Sequence, residues 1–197
     1  MKELYSEKST NKNNPRADWV YFGISYLWIA LAACNEMLNP KDGKEMNEYL
    51  YIATIYNIKH AIEILEKLLL VTLEETGKLD KGLHKHDIKL LLIKVKHKIP
   101  KKFWPDLMIL SEVIDKYHHL SFLINKLDQD FSMEDCDNSA FRFPQNNLSI
   151  HIDYEKLLDK ITSTDIENLK NDIPKIQKFF DIWKELSSFM YRKNPKG

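Results

Sequence analysis

The stretch Asn57-Ile-Lys-His-Ala-Ile-Glu-Ile-Leu-Glu-Lys-Leu-Leu-Leu70 decides the fold. Its apolar residues lie on two stripes of a helix rather than on one, so this helix must meet neighbours on two sides. A loop with Gly77 follows, and a second leucine-rich helix then starts at His86-Asp87. The order predicts a central helix inside a group of packed helices.

The composition indicates a soluble helical protein. The chain has 197 residues, of which 44% are hydrophobic and 29% charged, enough for one domain with a sizeable core. Only 5 Gly and 7 Pro occur, which favours long helices over many short strands. The formal net charge is zero, so no global field indicates nucleic acid or membrane. The two cysteines form no disulfide or metal pattern and no secretory leader is recognised, so we expect a cytoplasmic protein.

An uncharged segment of 16 residues, 19–34, raises the question of a membrane span. It is shorter than the roughly 20 residues that a spanning helix needs. It also contains Ser25 and two tyrosines and lacks flanking basic asymmetry. We therefore expect a buried helix and no membrane association.

Five or six helices are expected in an all-α, up-and-down bundle. The predicted spans are residues 18–38, 45–75 and 88–99, a fourth helix from residue 103 through Ile124, a short one at 154–161, and a last helix. Thr164 and Glu167 form a capping-box pattern at the start of the last helix, and Pro174 is expected to kink or restart it. Residues 129–153 lack a helical period and are expected to form a long irregular loop. Residues 1–15 are expected to be a flexible arm, and 16–197 a single domain.

The residues around the central helix resemble the HEPN superfamily. The resemblance rests on the Ala-Ile-Glu-Ile-Leu-Glu-Lys-Leu-Leu helix, the Gly-containing loop, the His86-Asp87-Ile88 start and the later Phe141-Arg-Phe-Pro144. It implies a helical bundle that often forms a homodimer. Many members bind or cleave RNA in toxin–antitoxin, antiviral or stress systems, so a cognate antitoxin or a nucleotidyltransferase-like protein is an expected partner.

The family's catalytic pair is absent from this chain. Active members use an Arg and a later His with four to six residues between them, and this chain has three arginines, Arg16, Arg142 and Arg192. Residues 21–23 are Tyr, Phe and Gly, residues 147–149 are Asn, Leu and Ser, and no His follows Arg192. A nonstandard ribonuclease pair of Arg142 and His151 is an alternative, since the two could meet at one phosphate. The other interpretation is that Arg142 anchors its loop to a carboxylate.

A lysine-rich segment is the candidate RNA-binding site. Residues 78–102 contain nine lysines against Asp80 and Asp87, a local balance of +7. Such a patch can bind the phosphate backbone of a nucleic acid. The alternative interpretation is that these lysines form an ordinary solvent-exposed helix face. The proposed contacts are Lys85, Lys89, Lys94, Lys96, Lys98, Lys101 and Lys102.

Three functions stay open. The first is an RNA-associated, catalytically degenerate HEPN-like protein, and the second is a homodimeric interaction or scaffold module in which the acidic segment 128–137 faces the lysines. The third is the ribonuclease with Arg142 and His151.

No cofactor and no metal are expected, because the chain has no Gly-rich phosphate loop and His84-Lys-His86-Asp87 has no companion ligand. Asp87 is expected at the start of its helix, and the many carboxylate pairs are expected on helix surfaces.

Overall fold

Five α-helices make up most of the part of the chain that the computed structural model describes, which is residues 15–39, 47–73, 86–118, 121–126, 129–134 and 161–193. A 3-10 turn, Lys101–Phe103, joins the third helix to the fourth. An antiparallel hairpin of two strands, β1 (Ser121–Lys126) and β2 (Gln129–Glu134), follows the fourth. The helices are α1 (Pro15–Leu38), α2 (Asn47–Leu73), α3 (Ile88–Lys98), α4 (Trp104–His118) and α5 (Ser163–Lys193).

Helix α2 is the centre of the structure, as its two apolar stripes predict. It contacts each of the other four helices. Burying a side chain as large as Leu or Ile stabilises a fold by about 1.5–3 kcal/mol, so this helix supplies a large share of the core. Its buried apolar residues include Ile55, Ile58, Ala61, Ile62, Leu65, Leu68, Leu69 and Leu70.

Helices α1 and α2 approach closely at Gly23. A Cβ atom at this position would lie 3.0 Å from both Cγ and Cδ2 of Leu65. Leu65 is 1% exposed, so its side chain is confined by the surrounding core. The missing side chain at residue 23 therefore sets how near α1 lies to α2.

Helix α3 begins and ends where the sequence predicts. The Asp87 carboxylate accepts a hydrogen bond of 2.9 Å from the backbone N–H of Leu90, which confirms Asp87 as the N-cap. At the other end the Ile99 N–H donates to the Val95 carbonyl, and Pro100 then prevents continuation. The predicted apolar stripe faces the core: Ile88, Leu91, Leu92 and Val95 are buried.

The predicted fourth helix is too long. It was expected to continue through Ile124, but α4 ends at His118 and Ser121–Lys126 is a strand. Phe122, Leu123 and Ile124 form one continuous apolar run, and periodicity cannot distinguish a strand from a helix over so short a run. The expected irregular loop is likewise wrong for Gln129–Glu134, which pairs with that strand.

Helix α5 starts and continues differently from the prediction. Its cap is Thr162 with Asp165 rather than Thr164 with Glu167: the Thr162 N–H donates to the Asp165 carboxylate at 2.8 Å, and the Asp165 N–H donates to Thr162 Oγ1 at 3.3 Å. An Asp can close the box that a search for Glu or Gln overlooks. Pro174 does not restart the helix, which is continuous through it. Its ring lies on the exposed side, while the buried Ile173 and Ile176 hold both flanks to the core.

Several predictions fall on residues outside the described ranges. These are the N-terminal arm, the Gly77 loop and residues 135–160, which include most of the helix predicted at 154–161. Pro15, the last residue of the predicted arm, belongs to α1.

Among the described residues, Asp18–Leu38 is the one helix long and apolar enough to span a membrane by length and composition. Within it 39% of the apolar window is buried against the protein.

Candidate functional site

The structure describes the predicted RNA-binding segment from residue 86 onward, which includes six of its seven proposed lysine contacts. Lys85, Arg142 and His151 lie outside the described residues, so the catalytic pair stays a prediction. Residues 86–102 contain the six other lysines and one acidic residue, Asp87, whose carboxylate caps α3. We call these six lysines the lysine surface: Lys89, Lys94, Lys96, Lys98, Lys101 and Lys102.

An exposed tryptophan lies within the lysine surface. The Nζ atoms of Lys96 and Lys101 are 5.9 and 5.8 Å from the centre of the Trp104 ring. Both distances are within the roughly 6 Å at which a cation is attracted by an indole face. The Trp104 residue is 38% exposed. The fold thus brings a lysine of α3 and a lysine of the 3-10 turn to one aromatic ring.

The 3-10 turn explains why Trp104 faces outward. Its neighbour Phe103 is 2% exposed and anchors the turn in the core. Successive residues of a helix point about 100° apart, so a buried Phe103 directs the next side chain away from the core. Lys102 packs against the same ring: its Nζ lies 4.5 Å from the centre of the Phe103 ring and 5.1 Å from the centre of the Phe189 ring of α5.

One lysine of the set already has an acidic partner. Lys89 Nζ lies 3.1 Å from Asp115 Oδ1 on α4, and both side chains are nearly half exposed. An exposed ion pair of this kind contributes only about 0–1 kcal/mol. The pair nevertheless lowers the charge at the start of α3, so the lysines nearer Trp104 are the better candidates for binding an anion.

A buried carboxylate in the middle of α2, that of Glu63, has three polar neighbours. Lys67 Nζ donates to Glu63 Oε1 at 2.6 Å, and His86 Nδ1 lies 2.9 Å from the same oxygen. His60 Nδ1 lies 3.8 Å from Oε2, the other oxygen. The Glu63 side chain is 5% exposed. An ionised carboxylate only accepts, so His86 donates from Nδ1.

The surroundings keep the Glu63 carboxylate ionised. Burial alone raises its pKa, but the His60 and Lys67 side chains and the charge of His86 outweigh burial and lower the pKa from 4.5 to about 2. At neutral pH the site therefore holds a fixed negative charge next to Lys67.

Glu66, about one helical turn after Glu63, has a pKa shifted in the opposite direction. It is 0% exposed, and neither carboxylate oxygen has a hydrogen-bond partner among the described residues. Burial, followed by the negative charges of Glu63 and Asp87, raises the pKa of Glu66 well above its usual value. These surroundings favour the neutral form of Glu66 over the ionised form.

A cleft between α1 and α2 opens onto Glu63. Its volume is about 280 Å³. One wall comes from α1 and the other from α2, and on each helix the residues are three and four positions apart, hence on one face. The principal lining residues are Trp19, Phe22, Tyr26, His60, Glu63 and Lys67.

His60 is fixed by two aromatic neighbours at this α1–α2 cleft. The Tyr26 ring meets it edge-on with ring centres 4.6 Å apart, and the Tyr56 ring is stacked on it at 5.5 Å. The cleft can therefore present an imidazole, a carboxylate and an ammonium group against aromatic walls.

The expectation that carboxylate pairs lie on helix surfaces is wrong for Glu63 and Glu66, which are both buried. A signal for them exists in the sequence: both fall within a helix that is apolar around most of its circumference, so little solvent-facing surface is left for them. The aromatic wall could also be anticipated from Trp19, Phe22 and Tyr26 on one face of α1. Their meeting with His60 and Glu63 depends on how the two helices pack.

No protein-family model matches the chain, and neither a curated protein nor a solved structure matches it. Within the described ranges, no group of three or more His, Cys, Asp or Glu side chains is arranged to hold a metal ion.

Proposed function

We propose that this chain is a HEPN-like, catalytically degenerate protein that binds single-stranded RNA at the lysine surface. One observation supports this most. Lys96 of α3 and Lys101 of the 3-10 turn each place Nζ about 6 Å from the centre of the exposed Trp104 ring. Proteins that bind single strands combine a cationic track for the phosphates with an aromatic ring for the bases.

In this proposal the two kinds of side chain have separate tasks. The lysines release counterions when they contact phosphates, which gives affinity that depends on salt. A base stacks on the exposed Trp104 ring, which adds affinity that depends little on salt. Phe103 holds the turn in the core and so fixes the position of the indole.

The composition of the surface favours RNA over a protein partner. Lysine is depleted at protein–protein interfaces, whereas six of the 17 residues 86–102 are lysines. An up-and-down bundle, a homodimer, a cytoplasmic location and a cognate antitoxin or nucleotidyltransferase-like partner complete the proposal. They rest on the family resemblance of the Glu63 helix and the His86-Asp87 start. The acidic segment 128–137, on which the scaffold alternative depends, has no described side chains.

Fluorescence anisotropy with single-stranded RNA at about 50 and 200 mM salt tests the proposal. The affinity should fall steeply with salt. A Lys96→Ala, Lys101→Ala double variant should reduce the slope of log affinity against log salt by about 1.4, since each contact to a single strand contributes roughly 0.7. Trp104→Ala should weaken binding by about 1–3 kcal/mol at both salt concentrations and leave the slope unchanged.

A lysine–aromatic pair elsewhere provides the matched control. Lys184 Nζ lies 4.4 Å from the centre of the Phe180 ring on α5, outside the lysine surface. Lys184→Ala should change neither the affinity nor the slope. Absence of saturable binding at low salt, or equal losses from Lys184→Ala and from the double variant, would remove the proposal.

The remaining alternative is a ribonuclease that uses Arg142 and His151. A His151→Ala variant and the unmodified chain should then differ in cleavage of the same RNA. Equal cleavage, or none by either protein, supports the binding protein over the enzyme.

A further inference from the structure

The α1–α2 cleft has the size of a small ring compound. Pockets for drug-sized ligands measure roughly 300–1,000 Å³, and the 280 Å³ of this cleft lies just below that range. A molecule of one or two rings therefore matches the space, whereas a longer ligand would extend beyond it.

The walls of the cleft select for a flat ligand. Phe22 lines the cleft and is 61% exposed, so its ring is accessible to a ligand. On the facing helix the His60 ring is held in place by Tyr26 and Tyr56. Aromatic rings pair best with other flat rings, either offset and parallel or edge to face.

The polar end of the cleft selects for a hydrogen-bond donor. Oε1 of Glu63 already accepts from Lys67 and His86 at 2.6 and 2.9 Å. Oε2 has His60 Nδ1 at 3.8 Å, which is too far for a hydrogen bond. An ionised carboxylate offers about four acceptor positions, so Oε2 retains capacity for a donor from a ligand. The low pKa of Glu63, about 2, means that this acceptor persists throughout the physiological pH range.

We propose that the α1–α2 cleft binds a flat nitrogen heterocycle with an exocyclic amino group, whose ring packs on Phe22 and whose amino group donates to Oε2 of Glu63. Adenine and cytosine rings have this chemistry, either as free compounds or as bases of a nucleic-acid strand. The site is separate from the lysine surface and does not depend on the function proposed there.

Isothermal titration of the full-length chain with 9-methyladenine and with 9-methylpurine tests the proposal. The two compounds differ only in the amino group, so 9-methyladenine should bind saturably and at least about tenfold more tightly, the value of one hydrogen bond to a charged group. Phe22→Ala should weaken binding by about tenfold through the lost ring contact.

Tyr21→Ala is the matched control, because Tyr21 is the adjacent aromatic residue of α1, is 44% exposed and does not line the cleft. It should leave the affinity unchanged. Glu63→Gln is a second variant, which should abolish the preference for the amino compound because an amide N–H₂ replaces an acceptor oxygen. Circular dichroism of each variant verifies folding.

Adenosine and a short oligoadenylate distinguish the two sources of the ring. If the ligand is a free nucleoside, Phe22→Ala weakens adenosine binding alone. If it is a base on a strand, the same variant also weakens oligoadenylate binding. Equal affinities for the two methylated compounds, no saturation at millimolar concentrations, or equal behaviour of Phe22→Ala and Tyr21→Ala would overturn the proposal and leave the lysine surface untouched.

Discussion

His86 Nδ1 lies 2.9 Å from Oε1 of Glu63, a residue 23 positions earlier in the chain. The contact joins the start of α3 to the middle of α2. The next residue, Asp87, caps α3 through the Leu90 N–H, so two adjacent side chains fix both where this helix starts and what it packs against. His86 and Asp87 together thus position the first turn of α3.

Glu63→Gln should destabilise the protein in a pH-dependent manner. The folded pKa of Glu63, about 2, is below the usual 4.5, so its ionised form stabilises the fold above pH 4.5, and this stabilisation is lost as pH falls towards 2. At pH 7 the difference of 2.5 pKa units corresponds to about 3 kcal/mol. Urea unfolding at several pH values measures the loss, which should shrink below pH 4.5.

The exposed Glu112 on α4 offers a control, since Glu112→Gln should change the unfolding free energy by less than about 0.5 kcal/mol. A Glu63→Gln effect that is the same at pH 7 and near pH 2 would contradict the assignment of an ionised, paired carboxylate.

Glu66→Leu should stabilise the protein. The folded pKa of Glu66 is raised, so stability falls as pH rises above the unfolded value of 4.5 towards the folded pKa. Leucine removes both this titration and a buried carboxyl group that has no hydrogen-bond partner among the described residues, a gain of roughly 1–3 kcal/mol. Thermal unfolding at pH 5 and pH 8 should show a higher Tm for the variant, with the larger difference at pH 8.

Glu66→Gln separates the two causes. It removes the titration but retains a buried polar group, so it should flatten the pH dependence with a smaller gain in Tm. A Leu variant less stable than the unmodified chain at pH 8 would mean that Glu66 has a structural partner.

Gly23→Ala should destabilise the protein although alanine is the better helix former. The gain in helix propensity is about 1 kcal/mol, whereas forcing a methyl group into a packed core costs typically 1–3 kcal/mol. The new Cβ would lie 3.0 Å from two atoms of Leu65, which is buried and cannot yield freely. Chemical denaturation measures the net loss.

The matched background is Leu65→Ala, in which the clashing atoms are absent. There Gly23→Ala should become neutral or stabilising, and the double-mutant cycle should give a favourable coupling. If Gly23→Ala has the same effect in both backgrounds, the close approach of α1 and α2 does not depend on this pair.

Thr72→Val should weaken the link between α2 and α5. Trp183 Nε1 donates to Thr72 Oγ1 at 3.1 Å, and valine would leave the indole N–H without an acceptor. The expected cost is about 1–3 kcal/mol in urea unfolding. Thr72→Ser retains the hydroxyl and loses only the methyl group, so it should lose less. A Val variant that is no less stable than the Ser variant would contradict a stabilising role for this hydrogen bond.

The sequence by itself determined the helical class, the central position of α2 and both ends of α3, because these follow from local periodicity and from single capping residues such as Asp87. It misplaced the end of α4 and the cap of α5, where two local patterns compete over a few residues. Only the tertiary structure decided that Glu63 meets His86, that Lys96 meets Trp104, and that Glu66 is buried with no hydrogen-bond partner in the described part of the chain. Those relationships depend on the distance and rotation between packed helices, which the period of one helix does not encode.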